Sequence, residues 1–562
     1  MRKILFFLLI SLFTFAASVS AKKRTVAEMK AAAITALNDK SLNSKGSIAK
    51  ASNLNVAYET SQMTVLASDA NTVIVSNDDA FDAILAITET PFTAADLQNP
   101  GLRWWVEAMN ESLETYLATG TRPARVAPSA NHKPEVPALL KTKWGQDAPY
   151  NNMTPTYIQN NVEKHFVTGC VATGMAQIMK YYNYPATGQG SACYRCNLII
   201  DGETTTKMLN VNFVKGNYAW DDMLDTYGAS ATEAQENAVA KLMYHCGVSV
   251  KMDYDISGSG SFTFKAADAL VNKFLYDSNL CMYVRSFMNE AEWMNIIFTH
   301  LSAGEPILYG GQSKSGGHEF VVDGYNEKGL VSVNWGWNGK SDGFFDVASL
   351  NGYSSSQDML PVFMPKENSI RKSMFGYGDS NGLTLTKTLA GKLNAKADYC
   401  INLDYRDFSG SVAMIAKSID NPQAEEIILE QTAKTCKAYG YDLKINSFSV
   451  TFSNVSVASL PDGKYRVYLA TKCSEQPEWQ PIRSKENVSN SAIITITSGK
   501  PTLEIESDSS WTGITNVSAD EKQADAGVEY NLNGMKVDGA YKGIVIRNGK
   551  KYIGNKHRGI IP

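Results

Sequence analysis

The stretch that decides the fold begins at Pro306-Ile307-Leu308-Tyr309. It continues through Gly316-Gly317-His318-Glu319-Phe320-Val321-Val322, Leu330-Val331-Ser332-Val333-Asn334 and Gly343-Phe344-Phe345-Asp346-Val347. Each run is short, apolar and bounded by glycine or polar turn residues, which predicts successive strands of an antiparallel sheet. The pattern upstream is helical. One helix is predicted from Cys170 through Ala176, Ile178 and Met179 toward Tyr182, stopping before Tyr184-Pro185, because a residue preceding proline is pushed out of the helical region. A second is predicted over Ala231 to Tyr244. Helices followed by an antiparallel sheet predict an α+β domain over residues 133–365, built of two halves with a cleft between them.

The flanking regions read differently. Residues 22–132 form a smaller α+β unit. Helical spacing runs over Val26 to Leu37, β-type runs over Ser61 to Leu66 and Thr72 to Val75, and an amphipathic pattern over Leu102 to Leu117 that includes Trp104, Trp105 and Val106. Prolines crowd Thr121 to Pro137, which reads as a linker or processing site. Beyond residue 365, strand-like runs recur at Glu426 to Leu429, Phe448 to Phe452, Tyr465 to Ala470 and Ala492 to Ile496, predicting a β-sandwich over 366–500. Residues 501–562 read as a short β unit.

Arg2 and Lys3 precede an apolar run from Ile4 to Ala17, and Val19-Ser20-Ala21 supplies small residues for cleavage. This is the plan of a secretory leader over residues 1–21, too short for a membrane span. The formal charge of −4 over 562 residues gives no electrostatic reason to expect nucleic acid or an anionic membrane. Eight cysteines in so long a chain are too few for a disulfide scaffold. Cys193-Tyr-Arg-Cys196 has metal or redox spacing, but no second pair or histidine cluster accompanies it, so a local disulfide or two free thiols is the plainer reading.

The chemistry gathers in Thr168-Gly169-Cys170-Val171-Ala172. A cysteine at a helix start lies at the positive end of the dipole, where a thiolate is stabilised and its backbone N–H can face an oxyanion. The bland alternative is a buried core cysteine. Of six histidines, His318 stands at the head of an apolar strand after Gly316-Gly317, held rigidly yet approachable, although a satisfied core histidine would read the same way. Asn334, or the indole of Trp335, is placed to orient that imidazole, and Gln146 in Trp144-Gly145-Gln146 offers an amide donor for an oxyanion.

These segments resemble the streptopain family of the papain-like cysteine peptidases. The resemblance is carried, in the family's order, by Lys143 to Asn151, Thr168 to Thr173, Ala176 to Pro185, Gly247 to Tyr254, Gly316 to Gly324, and Val333 to Trp337 with Ser341 to Phe345. It implies a papain-like two-lobed fold, Cys170 as nucleophile, His318 as general base, Gln146 in the oxyanion hole and Asn334-Trp335 as histidine-orienting residues. It also implies Ser259, in the loop Ser257-Gly258-Ser259-Gly260, and Gly317 as substrate-backbone contacts. The substrates implied are proteins or peptides, with no metal or organic cofactor. Residues 22–132 resemble the family's pro-segment through Val73 to Asp78 and the helix around Trp105, implying an intramolecular inhibitor. The tail, through Tyr530 to Gly534, Lys542 to Ile544 and Asn548 to Lys551, resembles C-terminal sorting modules that engage an outer-membrane secretion machinery. Two rivals stand beside hydrolysis: amide transfer at the same site, and a binding protein on an inactive peptidase scaffold.

Overall fold

The computed structural model describes residues 22–39, 53–120, 125–313, 316–350, 356–367, 369–440, 444–485 and 488–504, and the backbone of four short strands between 529 and 554. The leader of residues 1–21 lies outside the described residues, as do residues 121–124 of the expected linker and much of the tail motif.

The N-terminal region supplies helix α1 (Val26–Asn38), strands β1 (Asn55–Glu59), β2 (Met63–Ala67), β3 (Thr72–Ser76) and β4 (Ile84–Thr88), and helix α2 (Pro100–Thr119). Proline at its first position and the Asn99 carboxamide, which accepts from the Gly101 and Leu102 N–H groups, start α2 where the sequence dictates. The central region adds β5 (Thr156–Gln159), β6 (Val162–His165), α3 (Cys170–Tyr182), β7 (Ser191–Ile200), β8 (Glu203–Asn212), α4 (Glu233–Ser249), β9 (Tyr254–Asp255), α5 (Thr263–Asn272), β10 (Tyr283–Val284) and α6 (Glu290–Ser302). It closes with β11 (Ile307–Ser313), β12 (Gly316–Tyr325), β13 (Val331–Asn334), β14 (Gly343–Phe345) and β15 (Ser356–Pro361).

The N-terminal strands do not form a sheet of their own. One ten-stranded sheet runs β1-β2-β3-β4-β14-β13-β12-β11-β15-β10, joined across the two regions where β4 pairs antiparallel with β14, Thr88 opposite Gly343. Alternation along β11 and β12 divides the core. Ile307, Tyr309, Phe320 and Val322 face α2 and α6, whereas Leu308 and Val321 face α3. The strands predicted at 307–309, 319–322, 330–334 and 343–347 are all present, and β11 and β12 run longer than the apolar pattern indicated because both continue through glycines. The hairpin of β7 and β8, two strands of ten residues each, was not legible. Its outer strand opens on a charged and threonine-rich stretch that is exposed throughout, and apolar alternation is confined to Leu209 and Val211 near its end.

Residues 375–504 fold as two facing antiparallel sheets around a common core that includes Phe375, Phe408, Val412, Phe448, Val467 and Ile494. One sheet holds four strands and the other six, which is the expected β-sandwich. It is docked against the central region. Met374, Ile401 and Leu403 share a hydrophobic core with Phe287 and Met288. Arg483, itself buried, donates to the Phe287 carbonyl at 2.9 Å and approaches Glu292 at 3.4 Å. The tail is a separate compact unit, from Ile514 on, with a four-stranded antiparallel sheet.

Candidate active site

Helix α3 is buried almost all round, which suits its apolar residues Val171, Ala172, Met175, Ala176, Ile178 and Met179. Its N-cap is Gly169, at φ +87°, where a β-carbon would fall 2.7 Å from Met252 Cε and 3.0 Å from the Ser259 carbonyl. Only glycine fits both the left-handed backbone and the space. Cys170 therefore begins the helix, half-buried, with backbone N–H groups of Glu319 and Val171 facing its sulfur. Burial pushes the thiol up from its ordinary range, and those N–H groups offset part of the shift.

His318 lies on β12, on the face turned toward α2. Its Nε2 is 2.9 Å from the Trp335 carbonyl oxygen. A carbonyl only accepts, so Nε2 carries the proton and Nδ1 is the nitrogen left to act as base. Burial lowers the imidazole to about 4, against a smaller raising effect of the Trp335 carbonyl. Among the described residues no hydrogen bond joins His318 to Cys170. The N-terminus of α2 lies against the ring: a β-carbon on Gly101 would be 2.4 Å from His318 Cδ2 and 2.5 Å from Trp335 Cε3.

The orienting contact is thus the backbone of Trp335 rather than either side chain. The Asn334 amide is engaged elsewhere. Its Nδ2 donates to the Thr142 carbonyl at 2.8 Å and to Gln177 at 3.2 Å, and its Oδ1 accepts from Gln177 Nε2 and the Gly336 N–H, each at 3.0 Å. The Trp335 indole donates to the Ser341 carbonyl at 3.0 Å and packs on Phe320 and Phe345. Both side chains fix the turn that aims the carbonyl. Gln177 was missed as part of this network, although a lone amide within an apolar helical run was its signal.

A cleft of about 500 Å³ brings Cys170, His318, Gln146, Ser259 and Gly317 together, with Trp337 on its rim. Asn334 and Trp335 stand behind His318, outside it. The buried Gln146 reaches the cleft, and its carbonyl accepts from Thr168, tying the two segments that flank the thiol. Ser259 is turned inward, its hydroxyl donating to the Val167 carbonyl at 2.7 Å, so its backbone rather than its side chain is offered to a ligand. Gly317 lies exposed beside His318. Cys193 and Cys196 are not bonded to each other, the first exposed and the second buried.

Comparison with known proteins bears on this geometry. Over 293 residues the chain is 35% identical to streptopain from Streptococcus pyogenes, covering 50% of this chain and 72% of that one. The chain belongs to the streptopain family. The profile of the peptidase C10 family matches residues 144–345, which include Gln146, Cys170, His318 and Trp335. This C10 member is 28% identical over 320 residues to the thiol protease/hemagglutinin PrtT of Porphyromonas gingivalis, over 53% of this chain and 36% of that one. It also superimposes on a fragment of prointerpain A from Prevotella intermedia with a TM-score of 0.51 and 34% identity, covering 56% of this chain and 99% of that one. It is a cysteine-type peptidase with a mixed α+β, papain-like fold.

Proposed function

We propose that this peptidase is an endopeptidase made as an inactive precursor, with residues 22–132 as its inhibitory segment. The observation that carries the reading is the contact of Gly101 with His318: the N-terminus of α2 presses on the imidazole, whose hydrogen bond goes to Trp335 and not to the thiol. Removing α2 uncovers the ring, lessens its burial and frees it to approach Cys170. The pair then passes to thiolate and imidazolium at the helix N-terminus.

Hydrolysis follows in two halves. The Cys170 thiolate attacks a peptide carbonyl, and the oxyanion that develops is met by the Cys170 N–H and the Gln146 amide. His318 gives its Nδ1 proton to the leaving amine and then takes one from the water that releases the acyl group. Gly317 and the Ser259 backbone hold the substrate chain. The residue bounds follow from this reading: a leader over 1–21, the peptidase over 133–365, the sandwich over 366–500 and a sorting unit over 501–562 that delivers the protein outside the cell through an outer-membrane machinery.

The test is incubation of the purified precursor with dithiothreitol beside a Cys170→Ala copy, following chain size and casein cleavage. Wild type is expected to trim itself near residues 121–137 and gain activity while the variant stays whole. A wild-type chain that remains inert after another protease has removed residues 22–132 would end the reading.

A further inference from the structure

The sandwich reaches into the catalytic cleft. Tyr439 and Gly440 line the same cavity as Cys170, on the side formed by the start of α5. Tyr439 is fixed there. Its N–H donates to the Asp404 carbonyl at 2.8 Å, and its ring meets Phe264 edge-on with centroids 5.8 Å apart. Phe264 in turn stacks on Phe262, with ring centroids 5.6 Å apart and the planes inclined by 17°. The sandwich cannot swing freely, because buried Arg483 and the core shared through Ile401 and Leu403 hold it to the peptidase region.

Below these rings the cavity is acidic. Glu319 and Asp358 both line it, and one hydroxyl bridges them: Thr263 Oγ1 stands 2.6 Å from Asp358 Oδ1 and 3.1 Å from each Glu319 oxygen. Strand register puts both beside Gly310, where a β-carbon would lie 2.5 Å from Asp358 and 2.7 Å from Glu319. Glycine at 310 thus leaves room for two carboxylates on one face. Among the described residues no lysine or arginine pairs with either. Burial, and then mutual repulsion, push the Glu319 carboxyl well up. With Glu319 buried and Asp358 half-buried beside it, the site by itself favours a protonated carboxyl, and a cation that arrives favours loss of that proton.

We propose that the sandwich and the peptidase region together build a substrate subsite, with Phe264 and Tyr439 as walls and Glu319 and Asp358 as floor, which takes a lysine or arginine side chain of the protein to be cleaved. The aliphatic stem lies along the rings while the charged tip meets the carboxylates. The proposal rests on Cys170 being the nucleophile of the same cleft. Tyr439 is then a specificity residue contributed by a domain outside the peptidase fold.

The test uses the processed enzyme with the sandwich still attached and fluorogenic peptides in which arginine, lysine or norleucine occupies each of the three positions preceding the cut. Active molecules are counted by iodoacetamide labelling of Cys170. Wild type is expected to favour the basic residue at one position by tenfold or more in kcat/KM. Glu319→Gln with Asp358→Asn should reduce that preference below about threefold. Tyr439→Ala should raise KM for the basic peptide several-fold more than kcat changes, and Tyr439→Phe, which keeps the ring, should restore it. Since Tyr439 is at the rim, its variants report on the subsite even if the carboxylate double variant does not fold. Active enzyme that prefers norleucine at all three positions, or a basic preference untouched by Tyr439→Ala, overturns the subsite alone. Wild type that cleaves nothing and whose Cys170 resists labelling overturns the peptidase reading with it.

Discussion

At the scale of single residues, the proposed chemistry depends on the protonation of Cys170 and His318. Burial raises the thiol and lowers the imidazole to about 4, so both are neutral at pH 7 while α2 is in place. A thiol raised above its ordinary range holds its proton until the pH exceeds that range, and a depressed imidazole gains a proton only near pH 4. Alkylation of Cys170 by iodoacetamide is therefore expected to be slow in the precursor at pH 6 and to climb only in alkali. In the processed enzyme it should already be fast at pH 6. Mass spectrometry of the labelled peptide over a pH series checks this, and equal labelling of both forms at pH 6 contradicts it. Cys170 and His318 stood out as the proposed nucleophile and base because a glycine before each has a local reason, a helix start in one case and a strand start in the other. The orienting group was not. It is a backbone carbonyl, and the identity of a side chain does not report where its own carbonyl points.

At the scale of elements, the proposed precursor rests on α2. Trp105 is fully buried, donates to the Asp346 carbonyl at 2.8 Å and meets the Phe345 ring at 5.1 Å. Trp104 fills the space above Gly311, where a β-carbon would be 2.2 Å from its ring. Gly101→Ala separates propensity from packing. Alanine favours the helix by at most about 1 kcal/mol, but its β-carbon overlaps His318 and Trp335. Overlap at that distance outweighs the propensity gain, so the helix should dock less well. Gly101→Ala precursor is expected to process itself several-fold faster in a timed gel assay. The processed enzyme, having lost residue 101, should match wild type in kcat/KM. Unchanged or slower processing would show that α2 does not hold His318 through this contact. The amphipathic pattern announced α2, and its buried stripe of Leu102, Trp105, Val106, Met109 and Leu113 agrees. Nothing local told which surface the stripe would meet.

At the scale of the whole molecule, the sandwich is held by a buried ion pair as well as by apolar contact. Arg483 and Glu292 are both nearly inaccessible, and Tyr405 donates to the Ser278 carbonyl at 3.1 Å across the same boundary. Removing one member of a buried pair typically costs about 3–5 kcal/mol, because the other charge is left uncompensated. Arg483→Ala is expected to split the calorimetric unfolding of the processed enzyme into two transitions, the sandwich melting first. A single transition at the wild-type temperature would show that the pair contributes nothing to docking. If the sandwich forms part of the substrate cleft, the same variant should also weaken selection for basic peptides.

The sequence by itself determined the main elements and where the candidate site residues stand on them. Apolar periodicity, glycine placement and proline stops depend on neighbours within a few residues, and those neighbours are written side by side. Cys170 at the start of α3 and His318 at the start of β12 are readings of that kind. Tertiary structure alone decided that β4 would join β14, that Gly101 would meet His318, and that Tyr439 would line the same cleft as Cys170. Each of these joins residues far apart in the chain. Such contacts are chosen by shape, burial and charge between surfaces that exist only once the elements have packed.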